Sequence, residues 1–440
     1  MSELTQLPIS LWPELDKPHL TLDDVQPVIR KLAREQYIEV KEIGKSFLGL
    51  PIHSMTLGSG PLRILAWTQM HGDEPTASAA VLDLLKTLLT ELSPIPLAQF
   101  NQQFTLKVIP ILNPDGAKAL TRVNAQGIDI NRDAVALQSP EGRLLRDIVD
   151  EFTPDIAFNL HDQSPYYTVA NTEKPATIAF LAPAFDLVKT VNPKRLRAMQ
   201  LVVGMQKAIS NYIPGNIARY NDDYSYRSFG DTIAGLGAST ILIESGAHPD
   251  DPNRKVARQM NSVALFEAIK LLVNHSYKQH SVEHYFAIPE NNENGIGDVL
   301  IRNANIDNGL GVNRYAVDVI LCQQKNHPRQ GYIEAIGHLS HLHGFQEIDA
   351  AEYTLSAGHA YQLTETLILC VERYMSLLKQ GYTHFRGNKA LLENQSNIPH
   401  LHIHDDDEHV LMPRRPSFLL LSKLGDHQIV ILNNKIVWLN

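Results

Sequence analysis

His71 and Glu74 stand three residues apart in WTQMHGDE, directly after an apolar run, LRILAW, that reads as a strand. A strand end is rigid, and this spacing lets an imidazole and a carboxylate converge on one point, as two ligands of a catalytic zinc must. Such a site takes three protein ligands and leaves its fourth position to water. His161, closing a second short apolar run, DIAFNLH, offers the third. Cys322 and Cys370 are the only cysteines, so a disulfide framework is excluded and the metal must be held without thiolates.

Between the two histidines, residues 109–133 read IPILNPDGAKALTRVNAQGIDINRD: an apolar strand, a turn at Asn113-Pro114-Asp115-Gly116, then a compact polar loop with Arg122, Asn124, Gly127, Asp129, Asn131 and Arg132. With these motifs the chain resembles the zinc carboxypeptidase family of the carboxypeptidase A type. That family's pattern runs His-x-x-Glu, an Arg ahead of an Asn-Arg pair, a lone His, and a final Glu. Here these are His71 and Glu74, Arg122, Asn131-Arg132, His161, and Glu244 in STILIES, over roughly residues 38–275.

The resemblance implies one zinc per chain on His71, Glu74 and His161, and Glu244 as the general base. It implies Arg122 as a donor to the oxyanion of the tetrahedral intermediate. Asn131 and Arg132 match the pair that grips a substrate's terminal carboxylate, a task for which a planar guanidinium is suited. Asp129 matches the carboxylate that orients a ligand histidine from behind. The family also has a mobile tyrosine some twenty residues before the base. Tyr220, Tyr224 and Tyr226 all qualify, and Tyr224 is the preferred substrate-binding candidate. Arg219 and Arg227, in the same segment, read as solvated or carboxylate-paired.

The pattern departs from the animal digestive members at two places, with Asp133 after Arg132 and Asp162-Gln163 after His161. Both are expected to add acid beside the site and to change selectivity. The function implied is a zinc metallocarboxypeptidase acting on a peptide. The alternative is a zinc-dependent deacylase of an N-acyl amino acid, because related zinc enzymes share His-x-x-Glu and a similar Asn-Arg loop. A peptide-terminus binding protein without activity fits less well, since ligands, base and Arg are all present.

Elements must hold these groups in place. Thr21 followed by LDDVQPVIRKLAREQ predicts an N-capped amphipathic helix. Residues 37–43, 50–57, 62–68 and 104–111 read as strands, the last two apolar throughout and so covered on both faces. Helices are expected near 75–91, 141–150, 195–212 and 253–274. Alternating strands and helices predict a mixed-sheet α/β/α catalytic domain over residues 1–280, with the catalytic groups at strand ends. Residues 281–296, rich in Asn, Glu and Gly, read as a linker.

A smaller β-rich domain is expected over 297–440, ending in a hairpin around Asn433-Asn434. Its DVLIRNA, EAIG and IDA…AG pieces resemble the accessory β-sandwich of amidohydrolases. His338, His341 and His343, and the alternating His400, His402 and His404, read as solvated or adventitious metal sites.

Length and composition agree with a globular chain of two or three domains: 440 residues, 44% hydrophobic and 20% charged. A net charge of −9 gives no basic face for nucleic acid. No apolar stretch reaches the ~18 residues of a membrane span, and MSELTQLPISLWPELDKPHL has no secretory pattern. A cytoplasmic location is therefore expected, and the oligomeric state is left open.

Overall fold

A computed structural model describes residues 7–90, 93, 95–307, 314–323, 331–356, 358–396, 398, 403–404, 416–422 and 426–439. The chain divides into two units, Met1–Glu293 and Asn294–Asn440. In the first, the elements in chain order are α1 (Leu22–Leu32), β1 (Ile38–Lys45), β2 (Pro51–Leu57), β3 (Leu62–Thr68), α2 (Thr76–Leu88), α3 (Leu97–Gln103), β4 (Phe104–Ile109), α4 (Pro114–Ala119) and α5 (Pro140–Phe152). There follow β5 (Ile156–Asp162), β6 (Thr168–Val169), β7 (Ile178–Leu181), α6 (Pro193–Ile209), β8 (Ile217–Arg219), α7 (Phe229–Gly235), β9 (Ser239–Ser245), α8 (Lys255–Val273), α9 (Val282–Phe286) and β10 (Asn291–Asn292).

Eight strands form one mixed sheet in the order β1-β2-β4-β3-β5-β9-β7-β8. Its middle, β4-β3-β5-β9, is parallel, so β3, β5 and β9 end on the same edge. Alternation along these strands sends Ile64, Ala66, Ile156, Phe158, Leu160, Ile241 and Ile243 into a core with α2, α6 and α8. Leu65, Trp67 and Ala157 face the other way, against α5 and against Phe229 and Ile233 of α7. A sheet covered on both faces explains the near-continuous apolar runs.

Two devices set the catalytic edge. Asp24, three residues into α1, accepts from the backbone N–H of Thr21 at 2.9 Å, which fixes the start of that helix. Asp83 of α2 is buried and held in two hydrogen bonds by Arg258 of α8, at 2.7 and 2.8 Å. A buried carboxylate is tolerated because both its oxygens are paired. Since α2 begins two residues after Glu74, this pair anchors the helix that leads out of the metal-ligand loop.

The segment expected to be a linker is structured up to the division between units. Ser281 starts α9, Tyr285 is fully buried and its hydroxyl accepts from the Ala182 N–H at 3.0 Å, and β10 pairs antiparallel with β6. Of the apolar residues in this stretch, Tyr285 and Ile288 insert into the core, Val282 packs at its edge and Phe286 stays exposed. Polar composition hid them, because a pattern of two anchors has no period to read.

The second unit is built on a sheet running from Gly331–Gly337 through Arg314–Gln323, Ile296–Asp307, Thr354–Ser356, Ser417–Leu421 and His427–Leu432 to Lys435–Trp438, with His343–Asp349 also on Ile296–Asp307. It also holds a helix, Val371–Lys379. Leu432 pairs with Lys435, and Asn433 has φ 58°, the left-handed conformation that a two-residue hairpin turn requires. No helix among the described residues is long and apolar enough to cross a membrane.

Candidate active site

β3 ends at Thr68, and the chain turns out of the sheet through Gln69, whose φ is 48°. The Gln69 side chain braces this turn: its Nε2 donates to the carbonyls of Leu20 and Gly72, and its Oε1 accepts from Ser78 Oγ. Gly72 packs backbone to backbone on Gly116. A Cβ at Gly72 would lie 1.9 Å from the Gly116 carbonyl carbon, so no other residue fits. The Asn113-Pro114-Asp115-Gly116 motif, expected as a turn, is the start of α4. There Asn113 accepts from Gly116 N–H and donates to the Met70 carbonyl, tying α4 to the loop that presents His71.

His71, Glu74 and His161 converge. Glu74 Oε1 lies 2.8 Å from His71 Nδ1, Glu74 Oε2 lies 2.9 Å from His161 Nδ1, and the two Nδ1 atoms are 3.1 Å apart. All three side chains are buried. His71 Nε2 lies 3.1 Å from Asp129 Oδ1. Asp129 is thus placed to accept from Nε2–H, which leaves Nδ1 as the lone-pair nitrogen turned to the cluster. Two ring nitrogens and a carboxylate packed this closely and buried suit a divalent cation, and the donor set is that of an open zinc site. Among the described residues this is the one His/Cys/Asp/Glu group close enough to hold a metal ion. His400 and His402 lie outside the described residues, and His338 Nε2 is 3.0 Å from Ser340 Oγ.

Purified protein should carry about one zinc per chain. Gly72→Ala and His161→Ala should each abolish that stoichiometry, the first by displacing the loop and the second by removing a ligand. Elemental analysis that finds full zinc in both variants would contradict this assignment.

The polar loop wraps the cluster. Arg122 donates from Nε to Asp129 Oδ2 at 3.0 Å and from Nη1 to Glu74 Oε1 at 3.2 Å, yet its side chain remains 40% exposed. Asn131 takes the Phe229 N–H on its Oδ1, which leaves its amide NH2 to donate. The exposed Arg132 donates to the carbonyl of Asn131 at 2.8 Å. Asn124 holds the loop in shape by accepting from Gln126 and Ile128 N–H and donating to the buried Glu141.

Glu244 stands directly opposite His161 in the β5–β9 register and opposite Ala179 on β7. Burial, then the carboxylates of Glu74 and Asp162, push its proton affinity well above the ordinary carboxylate range. Its Oε2 has no hydrogen-bond partner among the described residues. Asp162 is likewise raised by burial, to about 6, while it accepts from Thr76 N–H and Oγ1 and lies 3.7 Å from Arg254.

The acid expected at position 133 does not face the site. Asp133 accepts from Gln138 N–H, Ser139 N–H and Ser139 Oγ, so its carboxylate shapes the approach to α5. The tyrosine assignment also changes. Ala218 and Glu244 both pair with Ala179, and Tyr220 and Tyr167 pack over Ala179 and Ala218, beside Glu244. The charges of Glu244 and Arg122 act on the Tyr220 phenol, whose pKa is raised chiefly by burial. Of the candidates, Tyr220 is thus the one packed beside Glu244, while the expected Tyr224 is half-buried four residues further on. Counting back from the base cannot separate residues in an irregular loop.

Three residues of this wall, Tyr167, Glu293 and Asn291, carry no sequence signal. Tyr167 stacks on Tyr220 with ring centres 6.1 Å apart and donates to Glu293 at 2.5 Å, while Gln163 accepts from Asn291 at 2.7 Å. Arg219 is used in the same region, pairing with Glu290 at 2.6 Å and lying over the Phe286 ring. Arg227 donates to the Arg132 carbonyl.

Residues 26–175 match the family model described as zinc carboxypeptidase. Among known proteins, Carboxypeptidase SOL1 of Arabidopsis thaliana is 30% identical over 129 residues, covering 27% of this chain and 26% of that protein. Carboxypeptidase 2 of Trichophyton tonsurans is 29% identical over 102 residues, 23% of this chain and 19% of that one. These matches thus span about a quarter or less of the relatives' own length. A metallo-carboxypeptidase from Burkholderia cenocepacia superposes with a TM-score of 0.47 at 18% identity, over 59% of this chain and 71% of that one. The matched region, residues 26–175, which holds the three cluster residues and the whole Arg122–Arg132 loop, belongs to the zinc carboxypeptidase family.

Proposed function

We propose that the protein is a metallocarboxypeptidase that removes the C-terminal residue of a peptide. The observation that carries this is that a buried carboxylate oxygen of Glu244, unpartnered among the described residues, and the partly exposed Arg122 both stand beside the His71–Glu74–His161 cluster. A base on one side and an oxyanion donor on the other is what hydrolysis of an acyl bond needs. When bound, zinc supplies Lewis acidity, polarising a carbonyl and acidifying water.

The chain's own residues do the rest. The Arg132 guanidinium and the Asn131 amide receive the substrate's terminal carboxylate, which sets the last peptide bond over the cluster. Arg122 donates to the carbonyl oxygen as it gains charge. Glu244 takes the proton of the attacking water and returns it to the leaving amine nitrogen as the C–N bond breaks. Tyr220 and Tyr167 form the aromatic wall that limits where the substrate can lie.

The test is to incubate the zinc-loaded protein with free-acid peptides and N-acyl amino acids and to follow products by mass. Stepwise loss of single C-terminal residues is expected. Release of an acyl group with no peptide trimming would overturn the reading.

A further inference from the structure

Beneath the catalytic edge lies a row of side chains that hydrolysis itself does not use. Trp67, Asn159, Leu242 and Leu181 are consecutive partners across β3, β5, β9 and β7. Asn159 is two residues before His161 and Leu242 two before Glu244, so both point to the same face as the catalytic pair, one layer deeper. Thr240 is two residues below Leu242 on that face and pairs with Ala157, next to Asn159.

This patch combines burial with unmet polarity. Trp67, Asn159 and Thr240 are 0%, 1% and 2% exposed, yet Trp67 Nε1, Asn159 Oδ1 and Thr240 Oγ1 have no hydrogen-bond partner among the described residues. A folded chain pairs nearly all such atoms, and a cluster of three in one place calls for an external partner. Leu242 shows where it enters: its sequence neighbours Ile241 and Ile243 are fully buried, whereas Leu242 remains partly exposed in the middle of a covered sheet.

The covering layer at this point is α7. Gly230 presents bare backbone, and a Cβ there would sit 3.2 Å from Asn159 Nδ2 and 3.7 Å from Pro183 Cγ. The Phe229 N–H is held by Asn131 Oδ1 at 3.0 Å, which ties the start of α7 to the proposed carboxylate grip. A peptide held at its terminal carboxylate by Asn131 and Arg132 therefore presents its last side chain to α7 and the row below.

Resting on the carboxypeptidase reading, we propose that Asn159 is a specificity-determining residue and that the opening at the partly exposed Leu242 takes a C-terminal residue with a neutral hydrogen-bonding side chain, an amide or a hydroxyl. None of the row residues carries a charge, so a cation or carboxylate would be buried there unpaired. An aliphatic side chain would fill the space but leave the Asn159 amide, the Trp67 N–H and the Thr240 hydroxyl unmatched, the condition under which a polar site rejects an analogue. A substrate amide can accept from Trp67 or Asn159 and donate to Asn159 or Thr240.

The experiment compares free-acid peptides that differ only in a C-terminal Gln, Asn, Thr, Leu, Arg or Glu, reading kcat/KM for each. The wild-type enzyme should favour Gln, Asn or Thr over Leu by at least ~10-fold. Asn159→Leu should reverse this order and raise the melting temperature, since it removes an unpaired buried polar group. Asn159→Ala, which only removes atoms, should also lose the polar preference and serves if the leucine variant does not fold. A Leu preference in the wild type, or a loss in the variants that is uniform across all six peptides, overturns the assignment of Asn159 while leaving the carboxypeptidase reading intact. Failure to release any C-terminal residue overturns both.

Discussion

Glu244→Gln is expected to lower turnover by at least ~100-fold with zinc content unchanged. The substitution keeps the shape of a side chain that sits opposite His161, but an amide cannot take the proton of water or hand it to the leaving nitrogen. Glu244 is not among the three clustered ligand groups, so the variant should purify with the same metal stoichiometry. Its fold should not suffer either, because burial and the nearby Glu74 and Asp162 carboxylates already disfavour a charge at this position. Steady-state kinetics beside elemental analysis separates the two effects. Retained turnover would mean that the proton leaves by another route.

Arg122→Met should reduce kcat by ~10²–10³-fold, the usual consequence of removing one oxyanion donor. Arg122 has a second task, since it spans Asp129 and Glu74 at 3.0 and 3.2 Å. Arg122→Lys tells the two tasks apart. An ammonium keeps the charge but cannot bridge both carboxylates while presenting a donor to substrate, so it should recover little of the lost rate. Full activity in the lysine variant would reduce the role of Arg122 to a point charge.

The parts of this protein that were readable in its sequence are those set by local geometry. His71 and Glu74 share one loop three residues apart, and His161 ends a strand, so each announces itself by spacing and by the apolar run before it. Asp129 and Arg122 were reached because they lie on one short loop whose order could be compared with a known pattern. Helix α1 could be placed through Thr21 and Asp24, and the hairpin at Asn433-Asn434 through its turn residues.

Long-range choices stayed hidden. Tyr220 could not be separated from Tyr224 and Tyr226 because the chain between β8 and α7 is irregular, and only packing on Tyr167 and Ala218 selects it. Glu293 and Asn291 reach Tyr167 and Gln163 across more than a hundred residues, a contact without any sequence signal. Asp133 was expected beside the site because of its neighbour Arg132, yet a single residue's step along a tight loop turned its carboxylate toward Ser139. Asn159 looked like one more strand residue, and only its missing partner marks it.

The central claim, that this site reads a free C-terminus, is tested most directly by one pair of substrates: the same peptide as free acid and as C-terminal amide. Arg132 is exposed, and in the proposed binding mode its guanidinium receives the terminal carboxylate, so amidation removes its counter-charge. Losing one partner of a hydrogen-bonded charge pair that the bound peptide shields from water typically costs ~2–5 kcal/mol, which predicts at least ~30-fold lower kcat/KM on the amide. Arg132→Ala should abolish most of that discrimination, since the group that reads the charge is gone. Equal cleavage of acid and amide by the wild-type enzyme would contradict the carboxypeptidase assignment, even with zinc bound as described.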